Sequence, residues 1–214
     1  MISDNGVLDA VLFIVVLLPS VIFHEVSHGV VARRLGDPTA KEAGRLSLNP
    51  IRHIDPFGSV LLPGMLALAH QNVFGWAKPV PVDPSRFRSS PIRGMALTAL
   101  AGPFTNLTIA VIVGRLGPLE QVGGVVYLTS GALWAHVVGG VLTVNAALAV
   151  FNMLPIPPLD GSRLLPLILP PVGRRLYAQA SQYGFIVLFV LVLVIPQSLR
   201  FLGSWISWII RLAV

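Results

Sequence analysis

Residues 24–28 read HEVSH, and they lie inside an apolar run that is long enough to cross a bilayer. Positions four apart share one face of an α-helix, so His24 and His28 can both reach a single metal ion. Neutral imidazole is a common zinc ligand, and Glu25 has the position of a general base beside the metal. Ionisable groups are costly to bury at that depth, which marks this segment as a functional site.

A third ligand is needed, because a catalytic zinc ion takes three protein ligands and a water. The chain has no cysteine and only nine acidic residues, which leaves few candidates. Asp160 stands out because the apolar run 131–151 ends just before it, and the prolines of residues 155–158 break a helix there. Pro-Leu-Asp-Gly is equally typical of a plain turn, so spacing alone leaves both interpretations open.

The composition excludes an ordinary water-soluble domain. Apolar residues make up 54% of the 214 positions and charged residues 11%, with a mean hydropathy of +0.79. Soluble domains have about 25% charged residues. The net charge is +6, but the lysines and arginines fall between apolar runs, not on a face interleaved with stacking aromatics. We therefore predict an integral membrane protein in contact with the lipid bilayer, and no nucleic-acid binding.

The apolar runs predict an all-α polytopic membrane protein, a single domain over residues 1–214, with about four to six transmembrane helices around a zinc site. The predicted spans are residues 7–35, 94–114 and 131–153, with one or two further elements in 184–213. Residues 154–163 form the loop that contains Asp160. Residues 44–50 alternate in polarity as a short strand does.

Basic residues set the expected orientation. Five lie in residues 33–52, four in 78–93 and three in 163–175, whereas 116–135 contain none. Because lysine and arginine stay in the cytoplasm, the first three segments and the active site should face that side. Residues 57–72 then have to enter the membrane and return, against protein or a water-filled cavity. Region 57–92 is accordingly predicted to combine a re-entrant element with an edge strand.

The edge strand is predicted at residues 73–83, where Pro79 and Pro81 restrict the chain to the edge of a sheet. Such an edge can bind an extended substrate by β-augmentation, with Val80 and Val82 in contact with it. A surface turn that covers the cavity is the simpler interpretation, and the sequence leaves both open.

Several motifs together resemble the site-2 protease family of intramembrane zinc metalloproteases. They are HEVSH, NMLPIPPLDGSR (152–163), AGPFTN (101–106), RLSLNPIRHIDPFGSVLLP and FGWAKPVPVD. They cover most of residues 20–165, and they are similar to the minimal bacterial branch without PDZ or CBS domains.

This resemblance implies that Asp160 is the third ligand of one zinc ion per chain and that Asn152 lies near the substrate. It also implies an enzyme of the bacterial plasma membrane that cleaves transmembrane segments of single-span proteins. Regulation by membrane partners and oligomerisation are both compatible with it. Family members often have Gly-Gly after the aspartate, whereas this chain has Gly161 and Ser162.

Two further residues have competing interpretations. Asn106 is a candidate to bind substrate or the catalytic water, but a polar residue that joins two membrane helices is equally compatible. His53 is a candidate to approach the site, although a loop histidine is more often structural.

Three other functions compete with this prediction. A membrane metal-ion transporter needs further ionisable groups along its spans, and residues 94–114 and 131–151 offer only His136. Another HExxH membrane protease would take its third ligand from Glu42 or Glu120, which stand in poor contexts. An inactive scaffold would not be expected to keep every proposed catalytic residue.

Overall fold

The computed structural model describes residues 6–61, 65, 77–195, 197 and 200–214. The predicted re-entrant segment at residues 57–72 lies largely outside these residues, as does the first part of 73–83. The described helices are α1 (Gly6–Leu35), α2 (Thr39–Glu42), α3 (Pro91–Leu116), α4 (Leu133–Asn152), α5 (Leu165–Ile168), α6 (Pro171–Ser181), α7 (Gly184–Phe189) and α8 (Phe201–Ala213). Shorter turns are the 3-10 helices Pro50–His53, Pro84–Arg86 and Asp160–Leu164 and the π-helical turns Pro56–Leu61 and Val190–Val194.

Three helices of the described part of the chain, α1, α3 and α4, are long and apolar enough to cross a membrane. Helix α6 and the helical segment Gly184–Val192 form a pair bent by 65°, which makes a fourth span if the pair is counted as one. These spans confirm an all-α polytopic membrane protein and match the runs predicted at 7–35, 94–114 and 131–153. In the C-terminal region, 184–213, two shorter elements are present, of which α8 has 13 residues.

Helix α3 lies at the centre of the bundle and contacts both α1 and α4, which also contact each other. Small side chains make this close packing possible, because membrane helices associate through van der Waals contact between small residues. The buried small residues are Gly94, Ala96, Ala99, Gly102, Ala110 and Gly114 of α3 and Ala135, Ala146 and Ala149 of α4. Helix α8 packs against the other side of α3 and α4.

The chain turns sharply at the ends of α1 and α4, which lie on the same side of the bundle. Helix α1 ends at Leu35, and the next residue, Gly36, has a φ of 117°, a conformation that favours glycine. After α4, buried Leu154 and Leu159 pack with Leu188 and Leu202 in a small apolar core. This core anchors the loop 154–163 against the C-terminal helices.

The strand predictions were wrong where they can be compared. Residues 44–49 and 77–83 have no regular secondary structure, and they belong to no sheet among the described residues. The described sheet is instead an antiparallel hairpin of β1 (Leu119–Val122) and β2 (Val125–Leu128) in the loop opposite the site. Its Gly-Gly turn, with φ of 58° and 80°, is a standard hairpin signal, although the charge pattern of this loop does not predict a hairpin.

Candidate metal centre

The site is formed by α1 and by the loop that follows α4. His24 and His28 are one turn apart on α1 and both are buried. Asp160 begins the 3-10 turn after the proline-rich loop and is buried as well. The Nε2 atoms of the two histidines are 3.1 Å apart, and Asp160 Oδ2 lies 3.1 Å from one and 3.2 Å from the other. Three potential ligand atoms thus form a nearly equilateral triangle.

The loop holds Asp160 in place through its neighbours on both sides. Leu159 is buried in the small apolar core, and Gly161 approaches the Met153 backbone so closely that a Cβ atom would lie 2.2 Å from the Met153 carbonyl oxygen. Ser162 Oγ donates to the Leu159 carbonyl at 2.7 Å and accepts from Tyr177 at 3.2 Å. The carboxylate is therefore positioned by a packed turn.

Hydrogen bonds on the far side of each imidazole indicate which nitrogen carries the proton. His28 Nδ1 lies 2.7 Å from the Thr98 carbonyl oxygen, which can only accept, so Nδ1 donates. His24 Nδ1 lies 2.5 Å from Asn106 Oδ1, also an acceptor. In the neutral imidazoles, both Nε2 lone pairs then point at Asp160 Oδ2, a buried atom without a hydrogen-bond donor among the described residues. Two nitrogen lone pairs and a carboxylate oxygen at these distances repel one another, and a cation between them would remove that repulsion.

The donor set and its spacing fit zinc. Tetrahedral zinc with bonds of about 2.0–2.1 Å to nitrogen separates its ligand atoms by about 3.3 Å, close to the sides of this triangle. An aspartate side chain is ordinarily ionised near neutral pH, which is the form that binds a metal ion.

Gly102 of α3 provides the space for this arrangement. A Cβ atom at this position would lie 2.4 Å from a ring carbon of His24 and 2.5 Å from His28 Nε2. Any side chain larger than hydrogen would therefore displace the ligand atoms. The next residue, Pro103, has no N–H to donate to the carbonyl one turn earlier, so the α3 ladder loses one bond beside the site.

Glu25 is half-buried, and one of its carboxylate oxygens lies within 4.8 Å of the ligand atoms of both histidines. Its Oε2 atom accepts a hydrogen bond of 2.8 Å from the backbone N–H of Val80. The carboxylate is thus placed beside the candidate metal position and oriented by a distant part of the chain. This is the arrangement that a general base for water requires.

Residues 77–83 form a strap without regular secondary structure beside α1, and charged side chains hold it there. Arg45, which is buried, donates to the carbonyl oxygens of Lys78 and Pro79. Fully buried Asp37 accepts a hydrogen bond of 2.7 Å from the backbone N–H of Asp83. The strap is therefore fixed at both ends, with the bond to Glu25 between them.

Comparison with known proteins identifies the family of the chain. The model of Peptidase family M50 matches residues 12–119 and 114–195. The chain belongs to peptidase family M50. It is 39% identical over 196 residues to the "Putative zinc metalloprotease YwhC" of Bacillus subtilis (strain 168), covering 91% of this chain and 83% of that protein. No solved structure shows significant similarity to the chain.

Two mycobacterial proteins with the same description, both named Rip2, are also similar. The protein from Mycolicibacterium smegmatis is 32% identical over 199 residues, covering 89% of this chain and 70% of the relative. The protein from Mycobacterium tuberculosis (strain H37Rv) is 35% identical over 181 residues, covering 82% and 64%. The chain is therefore a membrane metalloprotease with zinc as its metal, which argues against a transporter.

The alternative acidic ligands lie elsewhere in this M50 protein. Glu42 forms an ion pair of 2.8 Å with Arg86 at the surface. Glu120 lies on the exposed strand β1, paired in register with Tyr127. Of the acidic residues considered as a third ligand, the structure brings Asp160 to the histidines.

The remaining predicted residues do not all reach the site. Asn106 is fully buried and hydrogen-bonded to His24, so its position indicates support of a ligand and not contact with substrate. His53 is 1% exposed, and its ring donates to the Ser47 carbonyl, a structural role in the loop. Asn152 ends α4 and donates to the Leu148 carbonyl of its own helix at 3.0 Å. Val80 is buried in the strap, and Val82 is half-buried.

Sequence analysis missed two polar residues of the site, Ser20 and Asn145. Both are buried in the membrane helices and belong to one hydrogen-bond network with Asn106. Asn145 stands within an apolar span, and a polar residue in that setting is itself a signal of function.

Proposed function

We propose that this protein is an intramembrane zinc endopeptidase that cleaves transmembrane segments of single-span membrane proteins. In this proposal His24, His28 and Asp160 hold one zinc ion per chain, and Glu25 is the general base. The observation that carries it is the buried triangle of three ligand atoms, 3.1–3.2 Å apart, between membrane-spanning helices. A hydrolytic centre buried in this way acts on bonds that lie within the bilayer.

The chemistry divides between the metal and the protein. A bound zinc ion would lower the pKa of its water to about 7 and polarise the scissile carbonyl. Glu25 takes a proton from the attacking water and delivers it to the departing amine. The Val80 amide orients the Glu25 carboxylate through its bond to Oε2, which leaves Oε1 for the proton. Asn152, at the end of α4, is proposed to contact the substrate next to the reacting carbonyl.

A transmembrane substrate has to unwind, because a helix hides its amide groups in its own hydrogen bonds. The strap at residues 77–83 supports a way to hold the unwound segment, since it has no regular secondary structure of its own and lies beside the proposed general base. We propose that the backbone around Val80 and Val82 pairs with the substrate by β-augmentation.

The same proposal places the enzyme in the bacterial plasma membrane with the site open to the cytoplasm. His28 lies seven residues from Leu35, the last residue of α1, which places the site about 10 Å inside that end of the helix. The basic loops follow the same end of the bundle. Regulation by membrane partners or by oligomerisation would then act on substrate access.

The test uses purified protein in liposomes together with a single-span membrane protein that is tagged at both ends. Wild-type protein is compared with Glu25→Gln, and mass spectrometry locates the cleavage site. Metal analysis of both preparations measures zinc per chain. Cleavage inside the membrane segment, absent in Glu25→Gln with one zinc retained, is expected. Cleavage only in the soluble tails, or equal cleavage by both proteins, would contradict the proposed function.

A further inference from the structure

A chain of buried amides runs away from the metal site and joins the three spanning helices. Asn106 of α3 lies between His24 of α1 and Asn145 of α4, and its Nδ2 donates to Asn145 Oδ1 at 2.7 Å. Asn145 Nδ2 in turn donates to the Val141 carbonyl at 2.8 Å and to Ser20 Oγ at 2.9 Å. Asn106 and Asn145 are both 0% exposed.

The orientation of each side-chain amide follows from the hydrogen bonds at the end of this network that lies away from His24. The Val141 carbonyl can only accept, so Asn145 must present its Nδ2 group there and its Oδ1 atom to Asn106. Asn106 must then present Nδ2 to Asn145, which leaves Oδ1 for His24. A flipped Asn106 would place two donors against each other at His24 and two acceptors against each other at Asn145.

We propose that Asn145 is a positioning residue for the zinc site and acts through Asn106 on His24. By fixing the Asn106 amide, it keeps the proton of His24 on Nδ1 and the lone pair on Nε2, where the metal binds. Outer partners that fix the tautomer of a ligating histidine typically contribute 10–100-fold, as an order of magnitude, to metal affinity. This inference rests on the zinc site of the proposed function.

The two histidines are fixed differently, which makes the role of Asn145 specific to one of them. His28 is fixed by the Thr98 backbone carbonyl, which no side-chain substitution removes. His24 depends on the Asn106 side-chain amide, whose orientation is held by Asn145 Oδ1 at 2.7 Å and by a longer bond of 3.3 Å to the Ser20 carbonyl. Asn145 is therefore expected to affect the geometry of one ligand while the other two remain in place.

The experiment measures zinc affinity by competition with a chelator and the visible absorption spectrum of the cobalt-substituted protein. The variants are Asn145→Leu, Asn106→Leu and the double substitution, with Thr143→Val as the matched control. Thr143 is on the same helix and donates to the Gly139 carbonyl of that helix. Unlike Asn145, its side chain is exposed. Chromatography in detergent and thermal unfolding of the metal-free protein report on folding.

We expect each leucine variant to lose about 10–100-fold in zinc affinity and to change the cobalt spectrum, with Thr143→Val unchanged. The double variant should lose no more than Asn106→Leu alone, because Asn145 acts only through Asn106. If Asn145→Leu yields too little folded protein, Asn145→Ser removes the same contact with a smaller side chain and should give the same result.

Two outcomes would overturn the positioning role. One is wild-type affinity and spectrum in the Asn145 variants, and the other is additive losses in the double variant, since both mean that Asn145 does not act through Asn106. His24→Ala separates this failure from failure of the zinc site itself. If His24→Ala keeps full zinc affinity, the proposed site is wrong; if it loses zinc while the Asn145 variants do not, only the positioning role is wrong.

Discussion

Glu25 and Val80 are 55 residues apart in the chain, yet the Val80 backbone N–H donates to Glu25 Oε2 at 2.8 Å. The bond joins the candidate general base on α1 to the strap that is proposed to bind substrate. Arg45 and Asp37 fix this strap on either side of the bond. The candidate base and the proposed substrate-binding segment therefore contact each other directly, and substitutions in the two parts are expected to have separable effects.

Glu25→Gln should abolish proteolysis and leave zinc binding intact. A glutamine Oε1 atom can still accept from the Val80 amide, so the strap should stay in place. Loss of a general base typically lowers the rate by about 10²–10⁴-fold. The control is Glu42→Gln, whose side chain is 58% exposed and paired with Arg86. Cleavage rates and zinc content of both variants decide the matter, and wild-type cleavage by Glu25→Gln would exclude Glu25 as the base.

Val82→Arg should impair cleavage while zinc remains bound, because the added charge blocks the strap from pairing with a substrate. Val82 is the better probe than Val80, which is buried against α1 with its Cγ1 only 3.1 Å from where a Cβ on Gly29 would lie. Val125→Arg, in the exposed hairpin, is the control. An increase in KM with unchanged metal content is expected for Val82→Arg alone. Normal cleavage by this variant would exclude the strap as a substrate-binding segment.

The sequence was sufficient for the parts of the site that depend on local geometry. His24 and His28 are four residues apart, and helical periodicity alone places them on one face. Asp160 is 132 residues beyond His28, and its spacing left a plain turn equally open. The resemblance identified it, and the structure shows the physical reason: Leu159 and Gly161 pack the turn so that the carboxylate meets the histidines.

The parts that the sequence did not reveal depend on contacts between distant elements. The sequence left Asn106 open between binding substrate and joining two membrane helices, and its burial between three helices favours the second and makes it a partner of His24. Asn145 lay in an apolar run without a motif, and its role follows only from what surrounds it. The bond from Val80 to Glu25 likewise joins an irregular segment to a helix, which no periodicity indicates.

Asp160→Asn should reduce zinc affinity strongly with little change in fold. The substitution keeps the size of the side chain but removes the negative charge that faces the two imidazoles at 3.1–3.2 Å. The loss should exceed the roughly 10–100-fold typical of outer partners, because Asp160 is a proposed direct ligand. Asp83→Asn, at the surface next to Ser85, is the control. Equal zinc content in the two variants after dialysis would exclude Asp160 as a ligand.

Gly102→Ala should weaken zinc binding by a steric effect alone. Its new methyl group would lie 2.4–2.5 Å from ring atoms of His24 and His28, so the rings have to move. The matched control is Gly140→Ala in α4, where the methyl group would be 3.5 Å from Val16, an ordinary contact. Alanine also favours a helix over glycine by up to about 1 kcal/mol, so the control should not be destabilised. Zinc titration of both variants tests this, and equal affinities would contradict the close packing of Gly102 on the ligands.

Labelling of single cysteines should show the hairpin outside the cell and the basic loops inside. The chain has no cysteine, so Gln121→Cys in β1 and Ser89→Cys before α3 each introduce one exposed thiol. An impermeant maleimide added to intact cells should label only Gln121→Cys, and permeabilised cells should show labelling of both. The reason is that Arg86, Arg88 and Arg93 lie near Ser89, whereas residues 116–135 contain no basic residue. The reverse pattern would place the metal site nearer the external face and contradict a cytoplasmic opening.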